Sequence, residues 1–133
     1  MRRYFTNSKL AKALLFDGYS TIAIGWFVFS KLDKLTRRTK VHETIHALQW
    51  TEVTLVALVL LASLSWLISP LWILTSPFAY YIWYVIEWVV RLPRGNAYQN
   101  IMFEQEAFDN DSNYHYLCER ELFNWIRYGR TSK

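Results

Sequence analysis

The sequence predicts a mainly α-helical membrane protein forming a single domain over residues 1–133. Three observations carry that prediction. The stretch Val53–Leu92 is 40 residues long and holds only Glu87 and Arg91 as charged groups. Hydrophobic residues make up 53% of the chain and aromatics 18%, an apolar load that excludes a disordered chain. Finally, His42-Glu43-Thr44-Ile45-His46 reads HExxH and stands just before the apolar stretch, in a segment free of Gly and Pro.

Other classes fall away on composition. Cys118 is the only cysteine, so no disulfide scaffold exists within the chain. Four Gly and three Pro are too few for a collagenous chain or a flexible linker. The net charge of +4 raises nucleic acid as a partner, but the Lys and Arg clusters flank apolar segments. That distribution suits membrane topology better than a nucleic-acid footprint.

A hydrocarbon core about 30 Å thick takes about 20 helical residues, so residues 53–92 read as two passes. The turn between them falls within Ser69-Pro70 to Ser76-Pro77. Each Ser-Pro pair resembles an N-cap followed by proline at the first helical position, and the sequence does not choose between them. Trp50 and Trp88 would mark one interface and Trp66 and Trp72 the other, since amphipathic rings favour the headgroup level.

The N-terminal region is interrupted. Residues 10–30 are apolar on average but contain Lys12, Asp17, Gly18 and Gly25. A third span is one reading. The reading preferred here is a short helix followed by a strand or re-entrant segment near 21–29, where β-branched and aromatic residues concentrate. Asp17 and Gly18 also argue against a signal peptide.

Two passes return the chain to the side it left. Eleven Lys and Arg then flank the hairpin on one common side, with four more at the N-terminus. The positive-inside rule makes that side cytoplasmic, and the protein a multi-pass one.

Chemistry centres on HExxH. Residues four apart share a helix face, so His42 and His46 can reach one metal ion. Glu43 is turned by about 100° and is directed at the attacking water rather than at the metal. A catalytic zinc normally has three protein ligands. The candidates for the third are Glu104 and Glu106, on a predicted helix beyond the second pass; about 200° of rotation separates them, so only one can face the metal.

These pieces resemble the gluzincin metallopeptidases, and among them the membrane-embedded group of the heat-shock membrane protease and the CAAX prenyl protease. They also resemble a group of very small bacterial membrane proteins, through HETIHALQ at 42–49, WYVIEWVVR at 83–91 and AYQNIMFEQEAFDN at 97–110. The resemblance covers roughly residues 19–127. It implies zinc held by His42, His46 and Glu104, with Glu43 as general base and Glu106 as the alternative third ligand. It also implies a place in the bacterial cytoplasmic membrane. Phe108 stands where the larger proteases usually carry an Asp.

Three further residues are candidates around the site. Glu87 either supports a liganding histidine or pairs with Arg91 at i,i+4. Gln49, on the His46 face, could line the cleft. His115 could hold an oxyanion or be an ordinary surface histidine. The expected function is zinc-dependent peptide-bond hydrolysis at the cytoplasmic membrane surface, acting on a peptide or membrane-protein substrate in contact with lipid. The rival expectations are a catalytically silent, metal-stabilised subunit of a larger membrane complex, and a helical hairpin without metal. Nucleic acid is not an expected partner.

Overall fold

A helix of 28 residues, α2 (Arg37–Leu64), dominates the structure, a computed structural model that describes residues 3–15, 19–92 and 95–130. Thr36 starts it: its Oγ1 accepts from the Thr39 N–H at 3.1 Å, satisfying one of the orphan donors of the first turn. HExxH spans the second and third turns. The helix then continues without a break into the apolar segment, as the sequence predicts.

The chain reverses after Leu64. Ser69 is extended (φ −176°, ψ 141°), as the residue before a proline prefers, and its Oγ accepts from the Leu71 N–H at 3.4 Å. A 3-10 helix, Pro70–Phe78, follows and runs directly into α3 (Ala79–Arg91). The first Ser-Pro pair is therefore the start of the second arm, and Pro77 lies inside it. Two stretches, Arg37–Leu64 and Pro70–Arg91, are long and apolar enough to cross a membrane.

The arms are not equal in rise. A 3-10 helix advances about 2.0 Å per residue against 1.5 Å for an α-helix. The Trp50 indole donates to Pro77 O at 3.0 Å, and the Tyr80 hydroxyl donates to Gln49 Oε1 at 3.4 Å. Trp50 thus lies level with the start of α3, whereas the sequence reading set it level with Trp88.

Contacts divide the chain into two compact units, Met1–Ala47 with Ala107–Glu119, and Leu48–Glu106 with Arg120–Lys133. The first holds a three-stranded sheet of β1 (Tyr4–Phe5), β2 (Thr21–Ile24) and β3 (Phe27–Ser30), in the order β1-β3-β2. β1 runs parallel to β3, and β2 antiparallel to it. A six-residue helix, α1 (Lys9–Leu14), packs on β3, with Ala11, Val28 and Ser30 all buried.

Two expectations for residues 10–30 change here. Among the described residues this region contains no helix long enough for a third span, because α1 ends at Leu14 and strands follow. The single strand expected near 21–29 is a hairpin. Gly25 adopts φ +57° at the first position of a two-residue turn, a conformation glycine enters at little cost, and the chain folds back at Trp26. The expected breaks at Asp17 and Gly18 lie outside the described residues.

Helix α4 (Met102–Asn110) follows the hairpin, then α5 (Tyr116–Glu119) and a 3-10 segment Asn124–Arg130. In the first unit Val41, Ile45 and Ala107 form a core cluster under Tyr116 and Leu117. In the second, Tyr80, Ile101, Phe103 and Trp125 form the core. α3 is divided lengthwise: Tyr80 and Glu87, seven residues apart, are buried, while Ile82, Ile86, Val89 and Val90 are exposed. That two-faced pattern is the helical period, with one stripe turned toward the protein core and an apolar stripe left exposed on the other side.

Candidate metal centre

The histidines are placed by helix geometry alone. His42 and His46, one turn apart on α2, bring their Nε2 atoms to 3.1 Å, with ring planes at 78°. Two nitrogens bound to one tetrahedral zinc at 2.0–2.1 Å would stand about 3.3 Å apart. The pair already has nearly that spacing, so the donor set fits a metal of this kind.

The other edge of His42 faces an acid. Nδ1 lies 3.7 Å from Asp111 Oδ2, and Asp111 Oδ1 accepts from Arg38 Nε at 2.7 Å. Asp111 is buried, just past the end of α4. The Phe108 ring packs edge-on against His42 at 4.8 Å between centroids. Three residues beyond Phe108, Asp111 brings its carboxylate to the Nδ1 side of His42. Glu43 is 7% exposed and His46 8%, so the motif is nearly closed to solvent.

In the second unit the two candidate carboxylates have different partners. Glu104 is buried, and its Oε1 accepts from the Tyr84 hydroxyl at 2.7 Å. Glu106 is fully buried in an ionic network: Oε1 accepts from Arg120 Nε at 2.7 Å and Oε2 from Gln49 Nε2 at 2.8 Å. Arg120 also pairs with Glu52, Nη1 to Oε1 at 2.5 Å, and the Trp125 indole donates to Glu52 Oε2 at 2.9 Å. Gln49 completes the network by donating to Phe103 O at 3.0 Å.

Burial opposes the charge on Arg120, but hydrogen bonds from its guanidinium to Glu52 and Glu106 outweigh that effect and raise its pKa above the ordinary arginine value. One guanidinium between two carboxylates supplies the partners that buried charges require.

Of the remaining sequence candidates, Glu87 pairs with Arg91, Oε1 to Nη2 at 2.6 Å, and accepts from the Met102 N–H at 3.0 Å. A carboxylate there satisfies an orphan amide and suits the positive end of α4. His115 is exposed on the turn before α5, where its backbone N–H donates to Asn113 Oδ1 at 3.1 Å. The sequence reading did not single out Tyr84, Asp111, Arg120 or Glu52. Glu52 carried a usable signal: it follows Gln49 by three residues on α2, as Gln49 follows His46. Asp111 and Arg120 carried none, since their partners are remote in sequence.

Comparison with known protein families, with characterised proteins and with solved structures gives no match for this chain.

Proposed function

We propose that the protein is a membrane-bound zinc metallopeptidase, hydrolysing peptide bonds at the cytoplasmic face of a bacterial inner membrane. One observation carries the reading: His42, His46 and Glu104 offer ligand atoms that all lie within 4.8 Å of one another, close enough for one metal ion. Two histidines and a glutamate are a catalytic rather than a structural zinc donor set, since they leave a fourth position for water or substrate. Glu106, held by Arg120 and Gln49, is not part of that group.

Bound zinc would polarise the scissile carbonyl and lower the pKa of water. The chain's own residues supply the rest. Glu43 follows His42 directly, takes the proton from the attacking water and passes it to the leaving amine. Tyr84 holds Glu104 in place, and Asp111 faces His42 Nδ1, leaving Nε2 for the metal.

The two long apolar helices support a membrane setting. From Trp50, level with Pro77, α2 extends a further 14 residues to Leu64, about 21 Å at 1.5 Å per residue. This is most of a hydrocarbon core about 30 Å thick, so HExxH would lie at its boundary, where a membrane-associated peptide substrate is available.

A second reading draws on the near-complete burial of Glu43 and His46: a closed zinc site is the structural kind, and the protein would then be a metal-stabilised subunit. The test is zinc content and cleavage of a membrane-proximal peptide reporter by the wild type and by Glu43→Gln. Zinc in both with cleavage only by the wild type supports the peptidase; zinc in both with no cleavage supports the subunit.

A further inference from the structure

We propose that the open face of the three-stranded sheet docks on the headgroup surface of an anionic phospholipid bilayer. The proposal rests on the membrane reading of α2 and the second arm, and extends it to the N-terminal unit.

The strand register defines the face. Ile22 is paired with Phe29, Ile24 with Phe27, and Phe5 with Phe29, so these five side chains project from the same side of the sheet. Val28 and Ser30 project from the other side, where both are fully buried. The open side therefore has five apolar residues and no polar one at the paired positions. Its rings form one cluster, with Phe5 stacked on Phe29 at 5.1 Å and tilted against Phe27 at 6.2 Å. Phe5, Ile24 and Phe27 nevertheless remain 38–39% exposed. An antiparallel hairpin with one solvated face normally alternates to polar residues there, and this one does not.

Charge identifies the occupant. The first 40 residues carry nine Lys and Arg against Asp17 and Asp33, a net +7, whereas the remaining 93 carry six against nine, a net −3. The chain's basic character is thus concentrated ahead of HExxH, with Arg2, Arg3, Lys9, Lys12, Lys31 and Lys34 in or beside the sheet-forming segment and Arg37, Arg38 and Lys40 on α2. At the hairpin tip the exposed Trp26 lies under the Arg3 guanidinium, 4.6 Å from its ring centroid, and Arg3 Nε donates to Trp26 O at 3.0 Å. An exposed indole beside a cation, on an apolar face in a strongly basic segment, matches the chemistry of an anionic interface: rings at headgroup level and cations on the lipid phosphates. A second copy of this chain would meet the same +7 with its own.

The test uses the full chain with Cys118→Ser and a single cysteine at position 27 (Phe27→Cys) bearing an environment-sensitive fluorophore. The protein is placed in nanodiscs of phosphatidylcholine, alone or mixed with phosphatidylglycerol, with and without a nitroxide lipid quenching at headgroup depth or, for position 60, at acyl-chain depth. Leu60→Cys reports on the apolar arm, Ser112→Cys on a water-exposed turn, and Ile24→Cys repeats the measurement should the Phe27 variant misfold. Docking predicts blue-shifted, quenched emission at positions 27 and 24, stronger with phosphatidylglycerol and weakened by salt; each basic side chain near an anionic surface favours docking roughly fivefold. The proposal is overturned if positions 27 and 24 behave like Ser112 while Leu60 is quenched. It is also overturned if a nitroxide-labelled second chain, rather than lipid, quenches them. If Leu60 is not quenched either, the membrane reading fails and the docking fails with it.

Discussion

His46 Nε2 stands 3.1 Å from His42 Nε2, a separation at which two imidazole nitrogens must have something between their lone pairs. A neutral imidazole has one donor and one acceptor nitrogen, so the pair either shares a proton or shares a cation. With Asp111 facing His42 Nδ1, that nitrogen is the one biased to carry the proton, and Nε2 is left as the acceptor. Either an N–H of His46 donated to that acceptor or a cation between the two Nε2 atoms would satisfy the pair, and the proposed zinc is the second of these.

Removing one of them should release the metal. His46→Ala is expected to lose zinc and to melt at lower temperature, because a metal that binds only the folded chain stabilises it. Glu43→Gln differs in kind. Gln keeps nearly the same volume but cannot accept the proton, so zinc and melting temperature should be retained while kcat drops about 10²–10⁴-fold. Metal analysis and reporter cleavage on the same preparations separate the two. Full cleavage by Glu43→Gln would falsify the peptidase reading.

Asp111 is expected to tune metal affinity without binding the metal. Asp111→Asn keeps the shape but removes the negative charge 3.7 Å from His42 Nδ1, and losses of about 10–100-fold in zinc affinity are typical for such partners. Competition with a calibrated chelator measures this in the absence of substrate. An unchanged affinity would show that Asp111 serves Arg38 alone.

Arg120 should matter more for stability than any exposed charge. Its side chain and those of Glu52 and Glu106 are all within 6% of full burial, so Arg120→Met leaves two carboxylates facing each other without a cation. Breaking a buried pair from one side costs about 3–5 kcal/mol. Pairing Arg120→Met with Glu52→Gln and Glu106→Gln should recover part of the loss, because the uncompensated charges go with it. Thermal unfolding in detergent compares the variants. A single mutant as stable as the wild type would mean that solvent reaches the network.

Cysteine labelling tests the hairpin. In a Cys118→Ser background, cysteines introduced at Ser69 and at Asn96 should react with an impermeant reagent from opposite sides of the membrane. Ser69 caps the start of the second arm, and Asn96 follows α3. Labelling from one side at both positions would mean that the apolar arms do not cross.

Some of this architecture is local and was legible from the chain. HExxH without Gly or Pro specifies a helix with both imidazoles on one face, because the i,i+4 spacing is a property of the helix itself. The apolar run after it predicts that the helix continues, and α2 does so to Leu64. Glu104 and Glu106 share a short helix, α4, as their segment suggests. These features need only the helical period and the hydrophobic pattern.

What tertiary structure decided depends on partners far away in sequence. Both Ser-Pro pairs have the same local propensity to begin a helix; Pro70 begins the second arm, while Pro77 lies inside it and offers its carbonyl to Trp50, 27 residues earlier. Helical spacing alone does not choose between Glu104 and Glu106, and the fold gives them different partners, Tyr84 to one and Arg120 with Gln49 to the other. The strand expected near 21–29 became a hairpin because Gly25 turns it, yet its pairing with Tyr4–Phe5 could not be read from alternation. Periodicity records which way a side chain points within its own element. Which group it meets there is set by chain closure and packing between segments that no local pattern encodes.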